Sequence, residues 1–285
     1  MPLPATFDLM DFIRRTLGED LGQSGDVTSV ATIPEDARFT AEMNARQELV
    51  VAGIEVAAGF FRSLDVNVRI EQLVEDGAKV GHGTVLMRFE GNARAMLAAE
   101  RSALNTLQHL SGIATLTRRY VDAIAGTGSV LLDTRKTIPG LRLLEKYAAR
   151  MGGAQNHRMR LDDGVLIKDN HVAVCGGVGE AVRRATAVNT RLQVQVEVDR
   201  IDQIEPALAA GADRLLLDNM EPAMLRQAVT LVAGRVPLEA SGGVTLETVR
   251  SIAETGVDFI SVGRITQSAP AVDIGLDYSV ESLSR

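Results

Sequence analysis

The sequence predicts an α/β protein in two parts, a strand-and-helix first part followed by a barrel of βα units. Two observations carry this. From about residue 128, six short apolar or β-branched runs alternate with runs of helical spacing: "SVLLDTRK", "GVLIKDN", "LQVQVEVD", "DRLLLDN", "VPLEASGG" and "DFISVGRIT". Such alternation argues for parallel βαβ units. Nearly every one of these runs also ends in a polar residue or glycine, at Asp133, Lys168, Glu197, Asp218, Ser241 and Gly263. In a barrel these ends meet at one mouth, whereas an open sheet would spread them along an edge. Six units are fewer than eight, so either strands hide in the flanks or the barrel is incomplete.

The elements before residue 112 are of another kind. "FDLMDFIRRTLGEDL" is spaced as a short amphipathic helix. "FTAEMNARQELVVAG" and "VNVRIEQLVEDGAKVGHGTVLMRFEG" alternate as antiparallel strands with glycine turns. "NARAMLAAERSALNTLQHLSG" is rich in strong helix formers, and Asn92 is placed to cap it. The division is expected near Gly112, giving a first domain over 1–112 and a barrel over 113–275. The tail 276–285 is expected to pack on the first domain. No Pro- or Ser-rich linker separates the two.

Composition sets outer bounds. The chain has 285 residues, 46% apolar and 24% charged, with a net charge of −7. An acidic balance argues against general nucleic-acid or membrane-surface binding. No apolar run is long enough for a membrane span. The start, "MPLPATFDLMDFIRR", lacks the pattern of a signal peptide. The one cysteine, Cys175, leaves no internal disulfide or multi-cysteine metal site and is expected to be a small buried residue. No His pair has zinc spacing, and His82 and His109 are expected to be structural. A cytoplasmic protein is expected.

Against this acidic background, residues 133–171 carry eight Lys or Arg, two His and five carboxylates. Lysine is scarce: Lys79, Lys136, Lys146 and Lys168 stand against 26 Arg, and three of the four fall in this stretch. Arg142, Lys146 and Arg150 lie at i, i+4, i+8 with Glu145 beside them, and are expected to be a solvated helix face. Arg135, Lys136, His157, Arg158, Lys168 and His171 sit at strand ends or loops instead. Lys168 ends a run expected to be buried on both sides, where a lysine needs a partner or a task. Glu197 and Asp218 add two acids suited to ribose hydroxyls or to water on Mg²⁺. "ASGGVT" and "SVGRIT" present small residues before a helix start, a pattern that offers backbone N–H groups to phosphate. The expected ligand is highly anionic, with more than one phosphate-like group and with hydroxyls.

The motifs "ERSALNTLQHLSGIAT", "DTRKTIPGLRLLEKYAARMGGAQNHR", "VLIKDNH", "VEVD", "LLDN", "SGGV" and "ISVG" resemble those of quinolinate phosphoribosyltransferases, in order from about residue 5 to 275. The resemblance implies an N-terminal α/β sandwich and a C-terminal incomplete, TIM-like α/β barrel. It implies transfer of phosphoribosyl from phosphoribosyl pyrophosphate to quinolinate with Mg²⁺, giving nicotinate mononucleotide, pyrophosphate and CO₂ on the route to NAD. A homodimer with shared sites, or a multiple such as a hexamer, is implied too. By motif, Arg101, Thr134, Arg135, His157, Arg158 and Lys168 would surround quinolinate. Lys136 would lie near them and the pyrophosphate, while Glu197 and Asp218 would face the ribose. Lys136, Lys168, Glu197 and Asp218 form the implied catalytic set. Ser241, Gly242, Gly243 and Gly263 would hold the 5′-phosphate. Arg264 departs from the pattern, which has a small residue there, and adds a cation at the phosphate loop. Three other readings stay open: a molybdenum-transport-associated relative of the same fold, a Schiff-base aldolase using Lys168, and a non-catalytic anion binder.

Overall fold

The computed structural model describes residues 2–188 and 191–278. The chain divides into two compact units, and neither is one unbroken stretch. Residues 1–116, 143–152 and 268–285 belong to the first, and 117–142 with 153–267 to the second.

The first unit is built on an antiparallel sheet. Its strands are β1 (Arg38–Ala45), β2 (Leu49–Val50), β3 (Arg69–Gln72), β4 (Lys79–Val80) and β5 (Val85–Asn92), with the strand Ile274–Tyr278 added from the far end of the chain. The four-stranded order is Ile274–Tyr278, β1, β5, β3, and β2 with β4 makes a separate pair. Along β1, Phe39, Ala41 and Met43 are buried while Arg38 and Thr40 are exposed, the two-residue period of a half-buried strand. The helix Ile54–Leu64 is buried along most of its length, and its Phe61 ring lies 4.5 Å from that of Phe89 on β5. The helix Leu9–Leu21 buries Ile13 and Leu17, one turn apart, and is capped by Asp8, whose Oδ1 accepts from Asp11 N at 2.9 Å. Asn92 caps the helix Ala93–Ala123 through a 3.0 Å bond from Ala95 N to its Oδ1. The tail assigned to the first domain thus begins as a sheet strand; residues 279–285 lie outside the described residues.

The helix Arg142–Met151 corrects one expectation. It was expected to carry a solvated charged face, yet Glu145 and Lys146 are fully buried and Arg142 and Arg150 are half-buried. Charge spacing reports which residues share a face, not whether that face meets water. Here Glu145 Oε1 lies 2.8 Å from His109 Nε2, and Tyr147 donates to Asp76 at 2.6 Å. The structural role expected for His109 is therefore an explicit, partly buried contact.

The second unit is a parallel sheet of six strands: β6 (Val130–Leu132), β7 (Val165–Ile167), β8 (Val194–Val198), β9 (Arg214–Asp218), β10 (Leu238–Ser241) and β11 (Phe259–Ser261). Their order is β6-β11-β10-β9-β8-β7. Among the described residues β6 and β7 are the two edges and no further strand joins this sheet, so the barrel is incomplete. An isolated bridge, Leu132 with Gln155, runs along the outer edge of β6. The register aligns Ser241 with Asp218, Val198 with Leu217 and Ser261 with Leu132. All six chain exits therefore lie at one end of the sheet, where barrel enzymes place their chemistry. Among the described residues no helix is long and apolar enough to cross a membrane.

Candidate active site

A cavity of about 660 Å³ opens at that end of the second unit. Its wall includes Thr134, Arg135, Lys136, His157, Arg158, Lys168, Glu197, Asp218, Ser241, Gly242, Gly243, Gly263 and Arg264. Every site residue expected in the barrel is thus gathered in one place. Arg101 belongs to the first unit, where it is exposed and forms no ion pair among the described residues. His171 is absent from the wall; its Nδ1 instead accepts from Lys168 N at 2.9 Å at the start of the helix Asp169–Cys175.

The cations are held in distinct ways. Asp133, the buried residue after β6, accepts from Asn156 Nδ2 at 2.5 Å and from His157 N at 2.8 Å. That clamp fixes the "NHR" segment beside the end of β6. Arg158 donates to Gly164 O at 2.8 Å. Burial, and then the charge of nearby Arg135, holds the Arg158 guanidinium below its ordinary pKa. Arg135 also buries its Nε without a hydrogen-bond acceptor. Two guanidiniums that repel each other, one with a buried donor unused, make a place that favours an anion.

Lys168 differs from expectation. Its side chain is 50% exposed, because β7 is an edge strand whose Val165 and Leu166 are only half-buried. Its Nζ lies 2.8 Å from Oε2 of Glu197, which is only 11% exposed. The lysine has the expected partner without the expected burial. Cys175 is likewise half-buried rather than buried.

Asp218 closes the acidic side. Burial, with the negative charge of Glu197 added to it, pushes its carboxyl above the ordinary range, against the opposing influence of Asn219, Lys168 and Lys136. Asn219 Nδ2 donates to Asp218 Oδ2 at 2.5 Å, and Asn219 holds a left-handed backbone with φ 53°. Gly242 exists for this neighbour: a Cβ there would stand 2.2 Å from Asn219 Oδ1 and 2.9 Å from Asn219 N. Gly263 similarly makes room for Lys136, whose Cδ would be 2.8 Å from an added Cβ. The Lys136 backbone is held from the other side by Thr266, whose hydroxyl donates to Lys136 O at 2.8 Å. Among the described residues the N–H groups of Gly242, Gly243 and Gly263 donate to no protein acceptor, so they remain available to an anion.

The sequence reading passed over Glu239, Asn219 and Asn156. Glu239 is fully buried yet lines the cavity floor. Two residues before Ser241 on β10, it shares that residue's face, and a lone acid inside "PLEAS" is the signal that could have exposed it.

Comparison with known proteins agrees with this geometry. Residues 113–277 match the family model "Quinolinate phosphoribosyl transferase, C-terminal domain", and residues 26–111 match the corresponding N-terminal domain. A nicotinate-nucleotide pyrophosphorylase [carboxylating] of Mycobacterium leprae is 44% identical over 94% of this chain and 96% of that protein. A mitochondrial quinolinate phosphoribosyltransferase [decarboxylating] of Nicotiana glauca is 42% identical over 98% of this chain and 85% of its own length. The solved nicotinate-nucleotide pyrophosphorylase of Francisella tularensis superposes with a TM-score of 0.91 at 41% identity, over 95% of this chain and 96% of that one. The chain belongs to the quinolinate phosphoribosyl transferase family.

Proposed function

We infer that this chain joins quinolinate to phosphoribosyl pyrophosphate and releases nicotinate mononucleotide, pyrophosphate and CO₂, a step of NAD biosynthesis. One observation carries the reading. A single cavity holds Arg135, Lys136, His157, Arg158 and Lys168 together with Glu197, Asp218 and the glycine turns, in a chain of this family. Quinolinate has two carboxylates to meet Arg135, Arg158 and Lys168. Thr134 and His157 add hydrogen-bond capacity at the same end. The N–H groups of Gly242, Gly243 and Gly263, with Ser241 and Arg264, suit the 5′-phosphate. Lys168 lies against Glu197 rather than in the apolar surround that a Schiff-base lysine uses, which disfavours the aldolase reading.

The chemistry then follows from charge. The pyridine nitrogen forms a bond to C1 of the ribose as the C1–O bond breaks and its electron pair leaves with pyrophosphate. Positive charge builds on the ribose ring, and Glu197 and Asp218 offset it. Lys136 meets the growing negative charge on the leaving group. The quaternised nitrogen next accepts electron density, so the adjacent C–CO₂ bond breaks, CO₂ departs and the ring carbon takes a proton from solvent. No protein nucleophile is required.

Mg²⁺ fits this donor set only as an ion carried largely by substrate. Among the described residues no group of three or more His, Cys, Asp or Glu could hold a metal. Glu197 and Asp218 would meet it through water or ribose oxygens, as suits a cation that keeps waters and borrows phosphates. When bound it would neutralise charge on the departing pyrophosphate.

We further propose that the working unit is a homodimer, or a multiple of dimers, in which Arg101 serves the cavity of a second copy. Its exposure and lack of an ion partner among the described residues support this. The acidic composition and single cysteine suit activity in the cytoplasm. Incubation with quinolinate, phosphoribosyl pyrophosphate and Mg²⁺ tests the main reading. Nicotinate mononucleotide and CO₂ should form in equal amounts, and their absence with folded protein would overturn it.

A further inference from the structure

His157 is approached at both edges of its ring, by the backbone N–H of Arg158 and by the carboxylate of Glu239. Its Nδ1 accepts from Arg158 N at 2.7 Å, which leaves the ring proton on Nε2. That Nε2 lies 3.6 Å from Oε2 of Glu239, a residue of β10. The gap is too wide for a hydrogen bond, but the Nε2–H dipole still faces the carboxylate. The His157 side chain is 13% exposed and that of Glu239 is fully buried. Glu239 is itself held firmly. Gln195 on β8 donates to its Oε2 at 2.8 Å, and Arg214 NH2 of β9 lies 2.9 Å from the same oxygen, an ion pair without hydrogen-bond alignment. The Arg214 guanidinium is stacked 3.8 Å over the Phe259 ring of β11. Oε1 of Glu239 is buried with no hydrogen-bond partner. Burial favours the neutral acid, yet contacts with His157, Arg214 and Gln195 hold the Glu239 carboxyl below its ordinary pKa, so it carries its charge.

We propose that Glu239 is a positioning residue for His157: a buried carboxylate at the cavity floor that keeps the Nε2–H edge of the ring turned into the cavity, where the acid group of the substrate arrives. Asp133 fixes the backbone of His157 and Glu239 fixes its ring, so two buried acids, one just after β6 and one on β10, aim one donor. The looseness of the 3.6 Å contact matters. A tight hydrogen bond would keep the proton from the ligand, whereas the weaker pull of the carboxylate on the N–H dipole orients the ring and leaves its N–H free to donate. The role in substrate binding rests on the function proposed above; the ring tether does not.

The test separates the two. In the ligand-free protein, the Nε2–H signal of His157 should be visible by NMR and protected from solvent exchange. Glu239→Gln should broaden or lose that signal. It should raise KM for quinolinate roughly tenfold, by analogy with the loss when the partner that orients a metal-binding histidine is removed. KM for phosphoribosyl pyrophosphate should stay within about twofold. Glu239→Gln alone leaves Arg214 as an uncompensated buried charge and could unfold. The double variant E239Q/R214M removes both charges and should fold. If Glu239 serves only to neutralise Arg214, the double variant regains both the signal and a normal KM, and the proposal is wrong. An unchanged signal, or a lost signal with unchanged KM, also overturns it. Should the wild-type protein make no nicotinate mononucleotide, the NMR arm still reports on the tether.

Discussion

Lys168 Nζ and Glu197 Oε2 stand 2.8 Å apart, bridging the exits of β7 and β8. The lysine is half in water, so the pair contributes little to stability, under about 1 kcal/mol. Its value is positional: it sets an ammonium at the cavity wall beside the acid expected to face the ribose.

The first prediction follows. Lys168→Arg should keep the charge and the fold but lose most activity. A planar guanidinium is bulkier and would push either Glu197 or the bound acid aside. Misplacement by about 1 Å can cost on the order of 10²-fold in rate. The preference for Arg, 26 to 4, makes this lysine the exception to be explained. Steady-state kinetics with circular dichroism decide it: near-normal kcat/KM in folded protein would show that any cation serves.

The two glycine positions should behave differently. At Gly263 an added Cβ meets the flexible stem of Lys136, which can move. Gly263→Ala should therefore leave the melting temperature close to wild type while lowering kcat. At Gly242 the Cβ meets backbone as well as side chain of Asn219, and φ is 93°. Gly242→Ala should lose both stability and activity, with destabilisation of roughly 1–3 kcal/mol from the strained backbone alone. Thermal melts beside rate measurements separate the cases, and equal effects at both sites would refute the distinction.

Asp218 gives a pH prediction with a definite sign. Its carboxyl is raised by burial and by Glu197. The folded state thus holds its proton more tightly than the unfolded chain, so its contribution to stability falls as pH rises from the unfolded value, near 3.9, through the folded one. Above that window the cost is fully present. Asp218→Asn should accordingly melt no lower than wild type at pH 7 while losing activity, since the neutral amide cannot offset ribose charge. Removing the neighbouring charge with Glu197→Gln should lower the Asp218 pKa, and the acid limb of any residual activity should move to lower pH. A limb that stays or moves upward would exclude Asp218 as the group that must ionise.

Substrate choice rests on the paired guanidiniums. Arg135 and Arg158 repel each other and Arg135 buries an unused donor. Nicotinate brings one carboxylate where quinolinate brings two. Breaking a buried charge pair costs roughly 3–5 kcal/mol, so kcat/KM for nicotinate should fall by at least about two orders of magnitude. Comparable values for the two acids would remove the explanation for this cation cluster.

The six barrel strands were legible because each is a short apolar run closed by a polar residue, and the parallel register then gathers those ends. Burial was less legible. Lys168 was expected inside and lies half outside because β7 is an edge, while Glu145 and Lys146 were expected outside and are enclosed. Neither edge position nor the covering of a helix is written in local spacing. Glu239 was passed over because its partners Gln195, Arg214 and His157 come from three separate parts of the chain. The sequence marks the glycine turns as phosphate cradles, but their second task, making room for Asn219 and Lys136, depends on neighbours that only the fold brings close.

The last prediction concerns Arg101, an exposed residue of the first unit in an otherwise Ala- and Leu-rich helix. If the working unit is an isologous dimer, each copy lends its Arg101 to the other. Arg101→Ala and Lys136→Ala should each be nearly inactive as homodimers, because every site then lacks one cation. Unfolding and refolding them together in equal amounts produces mixed dimers in which one site carries both defects and the other neither. Statistical assortment should restore about a quarter of wild-type sites. If Arg101 served the cavity of its own chain, every site in the mixture would keep one defect and no activity would return. Zero recovery, with mixed dimers demonstrated by differential tags, would exclude sharing. A recovery near one quarter would place Arg101 across a two-fold interface and show that a single chain lacks a complete site.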